Sequence, residues 1–338
     1  MLLAAGAIVL GALYGLVAVR ATLPLFGRGS IGEHAAYAGA ATSGIAAIIA
    51  GYRLTPQAQP WFARIGRLRR GANVLGLAAL HAVFSLLLVS AVFAVFASAF
   101  RGVALDHVAG TVWVALACGI CTYVAVTSVS TLTTQSLTVL LSVFVLTGVL
   151  VSAISSPDPH WWEHHFSFLG ADDGDSGIAF NLTLLLTGIA LTTIGDFLAH
   201  DVEVWARATG EPAWKARTVR LTMLLLGVLV MLVALIPVTL DRRWHDASAQ
   251  GIVVVFALVL VVFPLLFRRL SGAFLVATEV VLGLLVALLV LWEGVGYLNV
   301  TAFEMGAAAT VFAWLLLFIR TVGVAVDGVR EADPAAGE

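Results

Sequence analysis

Charge is scarce in this 338-residue chain: only 11% of its residues are Asp, Glu, Lys or Arg, and a single lysine stands against seventeen arginines. Soluble domains carry about 25% charged residues, so a water-facing surface of ordinary composition is excluded. The net charge of −2 leaves no concentrated basic surface, which removes nucleic acid from the partners to be considered. Two cysteines are too few for a disulfide framework. They fall together as Cys118-Gly-Ile-Cys121 within an apolar stretch. Redox or metal chemistry there would need a thiolate stabilised by a positive charge or a helix N-terminus. Val, Ala and Leu neighbours supply neither, so small apolar packing without a disulfide is expected. No Walker loop, nucleophile elbow, zincin pattern or Rossmann glycine motif stands in a fitting context.

What the chain has instead is apolar length. Its apolar share is 61% and its mean hydropathy +1.02, the composition of an integral membrane protein. A spanning helix needs about 20 mostly apolar residues. Ten stretches qualify: 1–19, 34–52, 74–99, 109–127, 136–154, 178–199, 221–240, 248–267, 273–293 and 299–319. The expected fold is therefore an all-α polytopic membrane bundle of about ten transmembrane helices.

Orientation follows from the basic residues, because cytoplasmic loops retain them. With both termini inside, the inner side holds Arg53, Arg64, Arg67, Arg69, Arg70, Arg207, Lys215, Arg217, Arg220, Arg268, Arg269, Arg320 and Arg330. Only Arg20, Arg28, Arg101, Arg242 and Arg243 remain outside. The Arg64–Arg70 run suits an inner face rich in anionic lipid. The first span resembles a secretory signal in length, but no Lys or Arg precedes Arg20, so a retained span is expected. Its Gly11 and Gly15 form a small-xxx-small pair that lets helix backbones approach in lipid.

Three regions are expected: a four-span region over 1–135, a six-span core over 136–320 and a cytoplasmic tail over 321–338. A long inner loop from Arg53 to Asn73, with Pro56 and Pro60, falls inside the first. A charge-free Ser/Thr run, Thr127–Ser136, leads into the second. The longest outer loop, Ser155–Gly177, carries His160, His164 and His165 together with five acids, and its Trp161 and Trp162 suit the headgroup layer.

Phe166-Ser-Phe-Leu-Gly170 is followed by Ala179-Phe180-Asn181 at the next helix start and Gly188 in its middle, and a later outer loop reads Asp241-Arg-Arg-Trp-His245-Asp-Ala-Ser-Ala249. These elements resemble the bacterial and archaeal "domain of unknown function 998" membrane proteins. The resemblance covers about 136–320. It further implies a distant kinship with the autophagy-modulator (DRAM) and GPI-anchor-remodelling membrane proteins, and with them a link to membrane lipids more than a reaction.

Ionisable groups inside a membrane are costly and by default face the bundle interior. Glu279 and Glu293 recur on one face of the ninth span, with Gly283 and Val286 between them. The sixth span shows a stripe of Asn181, Gly188, Thr192 and Gly195 with Asp196 at its edge, and the two polar faces are expected to meet. Under the assigned topology Asn181, Glu293 and Glu304 share a depth near His245 and the Ser155–Gly177 loop. Six of the eight histidines, including His34 and His107, also fall outside.

An outer-leaflet polar pocket follows as the site expectation, lined by Asn181, His245, Glu293 and Glu304, with Ser167 in its roof and Arg242 or Arg243 to neutralise it. Three functions fit. In the first, the pocket holds a lipid headgroup without chemistry or serves lipid and envelope metabolism as an accessory subunit. The partners would be membrane lipids and, through spans one to four, a membrane protein. The second is a proton- or cation-coupled transporter using Asp196, Glu279 and Glu293. The third is a zinc-dependent lipid hydrolase with His164, His165 and His245 as ligands, although adjacent histidines lack the helix-borne zinc spacing. No cofactor is expected in the first two. His81 is expected to bond a neighbouring helix, and His200 with Asp201 to end the sixth span at its C-terminus. The Arg-rich, Lys-poor composition suits the plasma membrane of a GC-rich prokaryote.

Overall fold

The computed structural model describes residues 1–332. Of the described residues, 83% are helical. Twelve α-helices follow in order: α1 (Leu2–Ala18), α2 (Ile31–Arg53), α3 (Thr55–Ala58), α4 (Pro60–Arg64), α5 (Arg67–Ala99), α6 (His107–Ser130), α7 (Thr134–Ser155), α8 (Asp175–Thr209), α9 (Trp214–Leu235), α10 (Arg242–Leu266), α11 (Gly272–Leu289) and α12 (Val300–Ala332). Among the described residues the strands are one antiparallel pair, Leu23–Pro24 with Ala104–Leu105. In a bilayer every backbone polar group must be satisfied internally, so helices are the form this composition demands. The protein is a polytopic membrane helix bundle.

Nine described helices are long and apolar enough to cross a membrane, and α1, with 17 residues, is shorter. That length is the lower limit of about 17 for a span, so the expected ten become nine plus a short first helix.

Helix ends depart from expectation in an instructive way. The Arg53–Asn73 loop is mostly helical, because Pro56 and Pro60 occupy the first turns of α3 and α4, where the missing N–H costs nothing. Helix α5 then starts inside the arginine run and buries Asn73. The Thr127–Ser136 linker shrinks to 131–133, since Thr133 opens α7 through a reciprocal cap with Ser136. His200 and Asp201 do not end their helix: α8 runs on to Thr209 and stops at Gly210, whose φ of 68° is a left-handed cap. Asp201 instead accepts from Thr134 Oγ1 at 2.5 Å. Helix α12 likewise continues past Arg320 through 332, and the last six residues of the expected tail lie outside the described residues.

The chain divides into two compact units, Met1–Leu132 and the part from Thr133 onward. In the first, small residues set the packing. A Cβ on Gly11 would lie 2.8 Å from Cys118 Sγ, and one on Gly15 would lie 2.9 Å from the Thr111 Cα, so α1 and α6 touch nearly backbone to backbone. Cys121 similarly faces Gly39 of α2. Both cysteines are free and buried, in the packing role their surroundings suggested. His81 departs from expectation. It is buried and its Nε2 finds no hydrogen-bond partner among the described residues.

The second unit is built around α8, which packs against α7, α9 and α12. A Cβ on Gly188 would approach the Gly227 carbonyl oxygen to 2.5 Å, and one on Gly227 would approach that of Gly188 to 2.6 Å. Gly195 meets Met223 of the same neighbour. The glycine stripe of α8 is therefore filled by α9. It does not meet the acids of α11, whose neighbours are α10 and α12. Behind this crossing, Trp314 and Phe318 stack at 5.3 Å among Phe256, Phe263, Phe267 and Phe274, and Trp314 Nε1 donates to Thr278 Oγ1 at 3.0 Å.

At the end of the unit where α8 gives way to α9, Glu211 accepts Lys215 at 2.6 Å and Arg269 at 3.1 Å, while Lys215 also donates to the Leu266 carbonyl. The hydrogen bond from Lys215 holds the Glu211 carboxyl below its ordinary value of 4.5. A depressed carboxylate contributes stability above its ordinary value that is lost as pH falls through the depressed one. Thermal unfolding of wild type and Glu211→Gln should thus differ at neutral pH and converge on acidification below about 4.5. A gap that persists unchanged in acid would assign the effect to something other than this ion pair. The helix crossing gives a second expectation. Gly188→Val should lower stability by about 1–3 kcal/mol or more, because the obstructing atoms are backbone, whereas Gly283→Ala, with open space around it, should leave the melting point unchanged.

Candidate functional site

The segment between α7 and α8 forms two short 3₁₀ turns, Trp161–Glu163 and Phe166–Ala171. Such turns satisfy few of their own polar groups, so neighbouring helices complete them. Asn181 of α8 donates from Nδ2 to the Gly170 carbonyl at 2.9 Å. Glu304 of α12 accepts the Phe166 N–H at 2.5 Å. Asn299, just before α12, donates to the Trp162 carbonyl at 2.9 Å. Phe166 meets Phe180 edge-on at 5.1 Å. Gly170 is confined as well: a Cβ there would lie 2.5 Å from Asn181 Oδ1. The Ser-x-Leu-Gly turn is thus held in one position by two helices, α8 and α12.

The fourth tie is to α10. Asp241 caps that helix by accepting from the Arg243 and Trp244 N–H groups, which sets His245 in the first turn. His245 is 5% exposed. Its Nδ1 lies 2.9 Å from the Ile236 carbonyl and its Nε2 lies 3.2 Å from Ser167 Oγ. A carbonyl only accepts, so Nδ1 carries the proton and the Nε2 of the neutral ring accepts from the Ser167 hydroxyl. His165 Nδ1 lies 3.0 Å from the same oxygen. With the one hydroxyl proton engaged, His165 is the donor to Ser167. Burial lowers the His165 pKa and favours its neutral ring.

Next to this turn lies a cleft of about 370 Å³. Its wall is apolar, formed by Ile178, Leu182 and Leu185 of α8 with Ala234 and Leu235 of α9. Asp172, Asp173, Asn181 and Thr239 make its rim polar. Gly170, near the far end of the turn that carries Ser167, contributes to the lining.

Several expected site residues stand elsewhere. Glu279 and Glu293 are exposed, the latter in a π-helical turn, Val290–Gly294, that ends α11. Arg242 faces Asp246 at 3.5 Å and Arg243 is exposed, so the Glu304 carboxylate is met by a backbone N–H in place of a guanidinium. Asp196 pairs with Arg220 at 3.3 Å. Asp196 lies on α8, whereas Glu279 belongs to α11, which packs on α10 and α12. His164 faces Asp158 at 3.7 Å and lies against Phe168, with ring centroids 4.4 Å apart. Among the described residues no group of three or more His, Cys, Asp or Glu side chains is placed to hold a metal ion, so the residues present do not fit a zinc centre. Ile236 and Asn299 went unforeseen. Asn299 left a signal, since its side chain also accepts the Ala302 N–H at 2.8 Å as a helix cap; a main-chain acceptor such as the Ile236 carbonyl leaves none.

The family described as "Protein of unknown function (DUF998)" matches residues 137–336, more than half of the sequence, and that interval contains every residue of the turn, the cleft and the His245 tie. The chain belongs to this family. No curated protein and no solved structure matches it. The DUF998 interval coincides closely with the second unit and leaves α1 to α6 outside.

The Glu304 tie can be tested alone. A hydrogen bond to a charged group contributes about 1.5–3 kcal/mol, and about 1.4 kcal/mol is tenfold in a population. Glu304→Ala should raise amide exchange across 166–171 by about tenfold or more, with Glu304→Gln in between. Unchanged exchange in the alanine variant would show that the turn does not depend on Glu304.

Proposed function

We propose that this DUF998 protein binds a membrane lipid at the outer leaflet, with the headgroup at the 166–173 turn and an acyl chain in the cleft between α8 and α9. The observation that carries the reading is the cleft itself, in which an apolar wall of Ile178, Leu182, Leu185 and Leu235 leads up to a polar rim of Asp172, Asp173, Asn181 and Thr239. That gradient matches a lipid, whose tail gains by leaving water and whose headgroup needs polar partners. The excess of basic residues on the opposite loops supports an outward-facing site. Kinship with DRAM and GPI-anchor-remodelling proteins, inferred from the same motif, points to the same substrate class. The setting we infer is the plasma membrane of a GC-rich prokaryote, with the first unit available to a membrane-protein partner.

The test is lipid retention. Full-length protein purified in mild detergent should carry lipid detectable by native mass spectrometry, and filling the cleft with Leu182→Trp and Leu235→Trp should reduce the retained lipid by about fivefold or more, about 1 kcal/mol of binding. Equal retention in the folded double variant would overturn the reading.

A further inference from the structure

We propose that Ser167 and His245 form a nucleophile and base pair that cleaves or transfers an acyl ester of a membrane lipid. Ser167 is half-buried on the pinned turn, with its hydroxyl 3.2 Å from His245 Nε2. A serine becomes a competent nucleophile when an adjacent base accepts its proton and a third group orients that base. Here the third group is the Ile236 carbonyl, which holds the His245 Nδ1 proton at 2.9 Å and so leaves the Nε2 lone pair toward Ser167. This is a positioning role. His165 supplies something further: its Nδ1–H meets the serine oxygen at 3.0 Å and faces the negative charge that develops there as the proton leaves.

Glu304 and Asn181 hold the backbone of the turn at its two ends, whereas both imidazoles meet the turn at the Ser167 hydroxyl. The arrangement therefore contains more proton-transfer capacity than anchoring demands. An ester presented to the Ser167 hydroxyl would react in two steps. In the first, Oγ attacks the ester carbonyl carbon, the hydroxyl proton passes to His245 Nε2, and the bond to the lipid alcohol breaks. That alcohol leaves with the proton from Nε2, and the acyl group remains on Ser167. In the second, water or another lipid hydroxyl attacks the acyl-serine ester by the same proton route, giving a free fatty acid or an exchanged acyl chain. Nothing is oxidised or reduced. The substrate class rests on the lipid reading above, while the nucleophile does not.

Fluorophosphonate labelling tests the pair, because the probe reacts with activated serines without needing the native substrate. Full-length protein in detergent micelles should acquire one adduct, mapped by peptide mass spectrometry to Ser167. Ser167→Ala should abolish it, and His245→Asn should slow it about 100-fold or more, the scale of general-base assistance. Ile236 cannot be altered at its carbonyl, so His165→Phe provides the milder control: it should slow labelling less than His245→Asn while amide exchange across 166–171 stays near wild type. No adduct in folded wild-type protein, an adduct on another residue, or a rate indifferent to His245→Asn would each overturn the proposal. Lipid retention measured on the same preparations separates the readings, since lipid bound without an adduct sinks the nucleophile alone, and an adduct without bound lipid sinks the lipid assignment alone.

Discussion

The second unit depends on the place where Gly188 and Gly227 bring α8 and α9 together, backbone against backbone. Lipid gives two apolar helices little reason to associate through hydrophobicity, so close van der Waals approach must supply the cohesion. The crossing fixes the rotation of α8, and with it the position of Asn181 about two turns toward the loop end. It also fixes where the cleft opens, since Leu185 of α8 and Ala234 of α9 lie one to two turns beyond the glycines. On the other side of the crossing, Asp196 comes within 3.3 Å of Arg220. One pair of residues without side chains thereby sets the geometry of an apolar wall and an ion pair at opposite ends.

The 166–171 turn shows the complementary constraint. Irregular backbone has no ladder of its own, and each N–H or carbonyl left without water must find a partner. Asn181 of α8 and Glu304 of α12 supply two of those partners, and His245 of α10 holds the Ser167 side chain between them. Because every tie comes from a different helix, the turn records how the bundle is assembled. The tie from α12 uses a carboxyl that is partly buried.

Much of this was legible in the sequence because hydropathy reports burial in lipid directly. The ten expected spans become nine among the described residues, with a shorter first helix, while the helical membrane architecture and the family follow from length and short motifs. Rotation about each helix axis does not follow from them. Glu293 was grouped with Glu304 by depth, and the fold leaves it exposed in the π turn that ends α11 while Glu304 is partly buried against the Phe166 N–H. The expected loop at 53–73 failed for a local reason, as proline inside a helix breaks it but proline in the first turn begins one. Main-chain acceptors are invisible for a simpler reason: every residue has a carbonyl, so Ile236 could be singled out only by the fold.

The π turn at Val290–Gly294 ends α11 with a wider helical ring than the turns before it. Such a turn accommodates one more residue than the α-helical path requires, so it acts as a stored insertion. Removing one residue there would let the α-helical register continue and would rotate everything beyond it by about 100°. A change of length alone would therefore present Glu293 on a different face, with no change in the composition of the membrane span.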